Sequence, residues 1–172
     1  MPSAVSGPNF QTRIDVAPEV RQQMIGVLNQ QLAQTLDLYT QTKQAHWNVK
    51  GTSFFQLHEL FDKVAEDVFG FVDTIAERAT ALGGYACGTA RMAAANSSLP
   101  EYPREAIDGR QHLEALIDRF ARYVAANRKA LDDAQNKGDA ATADIFTDVA
   151  RAADKALWFL EAHLQAAAQR AA

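Results

Sequence analysis

His58 and Asp62 stand four residues apart, and so do Asp73 and Glu77. On an α-helix that spacing puts both side chains of a pair on one face. An imidazole beside a carboxylate, or two carboxylates together, is a ligand set for a divalent transition metal. Asp62 and Asp73 are eleven residues apart, close to three full turns, so both pairs look the same way. The same eleven residues rise by roughly 16 Å, too far for the four side chains of one chain to share an ion. Two copies of the helix, packed antiparallel about a two-fold axis near Asp67, bring His58 and Asp62 of one chain opposite Asp73 and Glu77 of the other. Two identical sites follow from the symmetry. His46, just before Gly51, is placed to add a nitrogen. Mixed imidazole and carboxylate ligands suit Fe²⁺, Mn²⁺ or Zn²⁺ rather than Ca²⁺ or a closed thiolate site. Charged pairs at this spacing are more often a solvated helix face, and spacing alone leaves both readings open.

The elements that carry these residues are helical. Pro18 suits a first helical position, where its missing N–H costs nothing. From there Val20, Met24, Leu28, Leu32, Leu36 and Tyr39 recur at three- and four-residue spacing, predicting a long amphipathic helix that ends near Trp47. After the break at Gly51, Ser53 with Gln56 reads as a capping box. Phe54, Leu57, Phe61, Val64, Val68, Phe71, Ile75, Ala79 and Leu82 then form a bundle seam that stops at Gly83-Gly84. The stretch from about Tyr85 to Ile107 holds Gly88, Pro100 and Pro103 and has room for only a short helix. Asp108 with Gln111 is a second capping box. Leu113, Leu116, Ile117, Phe120, Val124 and Leu131 mark a third long helix. After the turn at Lys137-Gly138-Asp139, Ile145, Val149, Ala152, Ala156, Phe159 and Leu164 mark the fourth. The expected fold is all-α: a four-helix bundle over residues 18–168, up-down-down-up, with a long crossover between the second and third long helices. That connection is the ferritin-like one. Residues 1–17 are expected as a flexible tail and 169–172 as a short C-terminal one.

The 172-residue chain bounds the function classes further. Its length suits one domain with a sizeable core. No apolar run is long enough for a membrane span, and no secretory signal is visible. Cys87 is the single cysteine, consistent with a reducing cytoplasm and a small buried side chain.

Two blocks carry a family resemblance. His46-Trp47-Asn48-Val49-Lys50-Gly51, then Phe54, Leu57-His58 and Phe61-Asp62, resembles the first signature of the Dps mini-ferritins. Val72-Asp73-Thr74-Ile75-Ala76-Glu77-Arg78, then Leu82-Gly83, resembles the second. The resemblance runs from about residue 20 to 165 and includes Leu157-Trp158-Phe159-Leu160. It implies that His46, His58, Asp62, Asp73 and Glu77 form a ferroxidase site shared between subunits. It implies oxidation of Fe²⁺ to Fe³⁺, with hydrogen peroxide preferred over O₂, and storage of the mineral in a twelve-subunit shell. For Trp47 it suggests a sacrificial role as a sink for oxidising equivalents, beside plain interface packing. For Asp139, Asp144 and Asp148 it suggests an acidic three-fold pore admitting iron, although helix-dipole chemistry alone explains Asp139. The larger ferritins use Glu-x-x-His motifs within one bundle; this chain has none, and His112 and His163 read as structural or surface residues.

A rival function is nucleoid compaction through DNA binding. The formal charge is −4, and the first 42 residues hold no lysine, only Arg13 and Arg21. Phosphate binding needs many cations, so DNA binding is expected to be weak or absent. The tail is expected instead to lie along a neighbouring subunit, with Phe10 and Ile14 as anchors.

Overall fold

The computed structural model describes residues 7–169. Five helices follow one another: α1 (Pro18–Asn48), α2 (Phe54–Ala81), α3 (Ala90–Asn96), α4 (Gly109–Asn136) and α5 (Ala140–Gln169). The four long ones make the bundle, with α1 packed mainly on α2 and α4 mainly on α5. The crossover carries α3, capped by the Thr89 side chain. At the far end of the crossover the Lys50 N–H donates to the Ile107 carbonyl at 2.9 Å. That contact sets the start of α4 beside the start of α2, so the two helices run parallel, as the long connection requires.

Local chemistry explains the boundaries. Pro18 opens α1. Asp108 and Gln111 form the expected capping box: the Asp108 carboxylate accepts the Gln111 N–H at 2.9 Å, and the Gln111 side chain accepts the Asp108 N–H at 3.2 Å. The box expected at Ser53 does not form. Ser53 has φ −100° and ψ 23° and its side chain makes no capping bond, because an N-cap needs an extended backbone to swing its oxygen over the helix end. Gly51, at φ 111°, turns the chain there, and its carbonyl accepts the Phe54 N–H. At the other end of α2, Gly83 (φ 90°) and Gly84 return their N–H groups to Thr80 and Ala79 as a Schellman motif.

The core gathers Met24, Leu28, Leu32, Leu38, Phe61, Ile75, Leu116, Phe120, Tyr123, Phe146 and Leu160, each almost fully buried. On α5 the buried seam is Phe146, Val149, Ala153, Ala156 and Leu160. It is turned slightly from the expected one, leaving Ile145, Phe159 and Leu164 half-buried. Asn29 pins the crossover to α1, donating to the Tyr85 carbonyl and accepting the Cys87 N–H. Cys87 is buried, and desolvation pushes its thiol above the usual range.

Residues 7–17 form no helix but lie on their own bundle. The Phe10 N–H donates to the Gly83 carbonyl at 2.7 Å, and Arg21 donates to the Ile14 and Val16 carbonyls. Ile14 packs against this chain's own core, so it is not the free anchor expected for a neighbour, while Phe10 stays exposed. Residues 1–6 and 170–172, the ends of the expected tails, lie outside the described residues.

Candidate metal centre

His46 is in the last turn of α1 and His58 in the second turn of α2, and the Gly51 turn folds them face to face. Their rings stack with centroids 3.7 Å apart and planes 22° apart. The His46 Nδ1 donates to the His58 carbonyl at 2.8 Å, and the His58 Nδ1 donates to the His46 carbonyl at 2.9 Å. This reciprocal pair fixes both rings and both tautomers, leaving each Nε2 with a free lone pair. Metal-binding imidazoles are held in this way by carbonyls on their other nitrogen. It also satisfies the His46 carbonyl, one of the last four in α1, which lack helical partners.

Asp62, one turn beyond His58, brings a carboxylate oxygen to 3.9 Å from His46 Nε2. Lys43, one turn before His46, closes an ion pair with the same oxygen. The Lys43 hydrogen bond is the main cause holding the Asp62 carboxyl below its usual range; the nearby imidazoles add to it and partial burial opposes it. The Lys43 ammonium also lies 5.9 Å from the centre of the Trp47 ring. Trp47 itself is 62% exposed. Sequence reasoning did not single out Lys43, although its position one turn before His46 was the available signal.

Asp73 and Glu77 sit near the other end of α2, both exposed, and neither carboxylate has an ion pair or side-chain hydrogen bond among the described residues. No three His, Cys, Asp or Glu side chains among the described residues form a metal cluster within the chain. His46 lies beside both His58 and Asp62 without the three closing such a cluster, and Asp73 and Glu77 are not brought to them. Around this face Phe54, Phe55 and Phe69 are exposed along with Trp47.

Asp139 corrects one expectation. It is only 2% exposed. One of its oxygens accepts Arg78 at 2.7 Å and the Thr142 N–H at 3.1 Å; the other accepts the Thr142 hydroxyl at 2.6 Å. It therefore caps α5 and ties that helix to α2, buried away from any water-filled channel. Asp144 and Asp148 are exposed, and Asp148 pairs with Arg151. His163 is exposed, as a surface residue would be, whereas His112 is fully buried.

A ferritin-like domain model matches residues 25–169. The "DNA protection during starvation protein" of Agrobacterium fabrum is 44% identical over 154 residues, spanning 90% of this chain and 95% of that one. The chain belongs to the Dps family of ferritin-like proteins. Among solved Dps structures, DpsC from Streptomyces coelicolor superposes with a TM-score of 0.88 at 31% identity, covering 92% of this chain and 93% of its own. The Dps protein of Vibrio cholerae O1 gives 0.84 at 28% identity, over 92% and 99% of the chains, and is described as a member of a superfamily of ferritin-like diiron-carboxylate proteins. The all-helical bundle with its long crossover is therefore the Dps fold. Among the described residues no helix is long and apolar enough to cross a membrane.

Proposed function

We infer that this protein binds and oxidises Fe²⁺ at sites shared by two subunits and stores the ferric product in a hollow shell of twelve, in the cytoplasm. The observation that carries this is the locked pair of His46, at the end of α1, and His58, near the start of α2, with Asp62 beside them, while Asp73 and Glu77 stand bare near the other end of α2. Both ligand pairs on α2 are centred on the same point between Asp67 and Val68, which is also the middle of the helix. An antiparallel partner about that point would lay each bare pair against a locked one. Gly70 supports such an approach, since nothing lies within 4 Å of where its Cβ would be. So do Phe54, Phe55 and Phe69, large apolar side chains that this helix leaves exposed.

Iron is substrate and cargo here. The two imidazoles and three carboxylates would hold Fe²⁺ while leaving coordination positions for an oxidant, with peroxide preferred over O₂. Removing Fe²⁺ and peroxide together would protect the cell from radical chemistry. Exposed Trp47, beside the site, would take stray oxidising equivalents. Asp144 and Asp148, without Asp139, would draw Fe²⁺ through an acidic pore.

DNA binding stays the second function, weak at physiological salt. The relatives named for DNA protection give it a precedent, but residues 7–17 of this chain are hydrogen-bonded to their own bundle and carry one exposed cation, Arg13. Anaerobic addition of Fe²⁺ followed by peroxide tests the main function. Ferric absorbance should appear at once and particle mass should stay that of the shell. Fe²⁺ left unoxidised, or ferric precipitate outside the protein, would refute it.

A further inference from the structure

Away from the ligands, a buried pair of ionisable groups takes no part in the chemistry above. Tyr102, in the crossover, and His112, in the first turn of α4, are joined between the phenol oxygen and Nδ1 at 2.6 Å. His112 is fully buried and its Nε2 closes no hydrogen bond among the described residues. Backbone groups of Asn48 and Ile107 face the ring and favour a proton on it. A proton on Nε2 leaves Nδ1 to accept, so the Tyr102 hydroxyl donates. Burial holds the phenol well above its usual range and the imidazole below its own, so the resting pair is neutral on both sides.

This pair meets, through Phe61, the stretch of α2 that carries His58 and Asp62. The Phe61 ring meets His112 edge-on, with centroids 6.5 Å apart. Phe61 sits one turn after His58 and immediately before Asp62. Asn48, whose backbone faces His112, is two residues beyond His46. Other oxidisable rings lack a base. The Tyr123 hydroxyl meets only the Thr35 hydroxyl, at 2.8 Å, and burial pushes its phenol up to about 12. Tyr39 meets Phe69 at a tilt and has no side-chain hydrogen bond among the described residues, and Tyr85 is exposed. The guanidinium of Arg119 lies 5.7 Å from the Tyr102 ring centre and opposes positive charge there, so an electron can leave the ring only with the phenolic proton.

Hydrogen peroxide takes two electrons and each Fe²⁺ gives one, so a site holding a single Fe²⁺ is one electron short. We propose that Tyr102 gives that electron: its O–H bond breaks, the proton moves to Nδ1 of His112, and the electron passes by way of Phe61 to the ligand site. One Fe²⁺, one phenol, one neutral imidazole, one peroxide and two solvent protons become Fe³⁺, a neutral tyrosyl radical, an imidazolium and two waters. The O–O bond is the one reduced. The buried radical is later quenched by the next Fe²⁺, which returns the proton to the phenolate oxygen from His112. This rests on the ferroxidase function inferred above and adds a protein electron donor to it.

The test uses the assembled full-length protein, loaded anaerobically with a single Fe²⁺ per site, mixed with peroxide and frozen for electron paramagnetic resonance. Ferric formation is followed on the same samples. A tyrosyl signal is expected in the wild type, lost in Tyr102→Phe, kept in Tyr39→Phe and Tyr85→Phe, and reduced in the wild type when Fe²⁺ is in excess. Should Tyr102→Phe fail to assemble, the wild-type signal decides: its largest g value falls when the radical oxygen is hydrogen-bonded, as His112 would make it, and stays high when it is free. Ferric product without a tyrosyl signal, a signal unchanged in Tyr102→Phe, or an unbonded radical would overturn the Tyr102 assignment alone. Absence of ferric product would overturn it together with the ferroxidase function.

Discussion

The two ends of α2 are prepared to different degrees. At one end His46 and His58 lock each other through reciprocal ring-to-carbonyl bonds, and Asp62 is already paired with a cation. At the other end Asp73 and Glu77 stand in solvent without side-chain partners among the described residues. The imidazoles of the first end have lost their freedom to rotate; the carboxylates of the second keep theirs. A half-site made of pre-set imidazoles would define where the ion sits, and the bare carboxylates would close around it from a neighbouring chain. Pre-organised ligands bind more tightly than the same groups left free, because less conformational entropy is lost on binding.

Removing each pair in turn gives the largest expected effect. His58→Ala with Asp62→Ala should weaken anaerobic Fe²⁺ or Co²⁺ binding by more than about 100-fold, since even a supporting partner of a ligand costs about 10–100-fold. Asp73→Ala with Glu77→Ala should cost less affinity yet stop oxidation. Calorimetric titration beside stopped-flow absorbance separates the two. Equal losses of affinity would erase the contrast between the ends.

The carboxylate end is also tied to α5 through Arg78 and Asp139, close to Asp144 and Asp148. Neutralising these two acids as Asn should slow iron uptake by about tenfold at low ionic strength, with the gap shrinking as salt rises. Stopped-flow uptake at several salt concentrations checks this. A rate that does not change would remove Asp144 and Asp148 from the path.

How much of this was legible in the sequence depends on which residues are asked about. Helical period alone put His58 with Asp62 and Asp73 with Glu77, because a four-residue repeat maps to a face whatever the tertiary setting. The reciprocal bonds of His46 and His58 were not legible, since they require the ends of α1 and α2 to fold side by side. Lys43 was passed over for the same reason. Asp139 was misassigned because a sequence shows an acid but not its burial, and the Arg78 that neutralises it lies 61 residues away. Ser53 had the right residue type for a cap and the wrong backbone angles. The long crossover was readable from Gly88, Pro100 and Pro103, which leave no room for another long helix, while the phase of α5 slipped because alanines occupy both candidate seams.

A smaller effect is expected from the cation at the prepared end. Lys43→Met removes the ammonium that would compete with a metal ion for Asp62. Divalent metal affinity should rise by about two- to fivefold, the scale of a partly exposed ion pair. The Asp62 carboxyl should return toward its ordinary value, so that its charge is lost at a higher pH as acid is added. Titration of Co²⁺ into both proteins at several pH values checks both statements, and a lower affinity in Lys43→Met would assign Lys43 a supporting role instead.

The smallest effect concerns His112, which braces only the histidine-bearing end. Its folded pKa lies below the ordinary 6.5 because of burial. The unfolded chain therefore binds the extra proton more readily. The stability from keeping His112 neutral is fully present above about pH 6.5 and declines as pH falls through and below that value toward the depressed folded pKa. Melting temperatures between about pH 8 and about pH 5 should fall more steeply in the wild type than in His112→Gln, by roughly 2–4 °C for each kcal/mol lost. Parallel curves would mean that His112 carries no share of the acid sensitivity.

The most direct test of the shared site mixes two inactive chains. One carries His58→Ala and Asp62→Ala, the other Asp73→Ala and Glu77→Ala. In a mixed pair one site receives both intact halves and the other receives neither. Random mixing should therefore restore about a quarter of the wild-type sites, seen as renewed Fe²⁺ oxidation in shells whose mixed composition is verified by native mass spectrometry. Mixed shells as inactive as either parent would contradict a site built from both ends of α2 in two different chains.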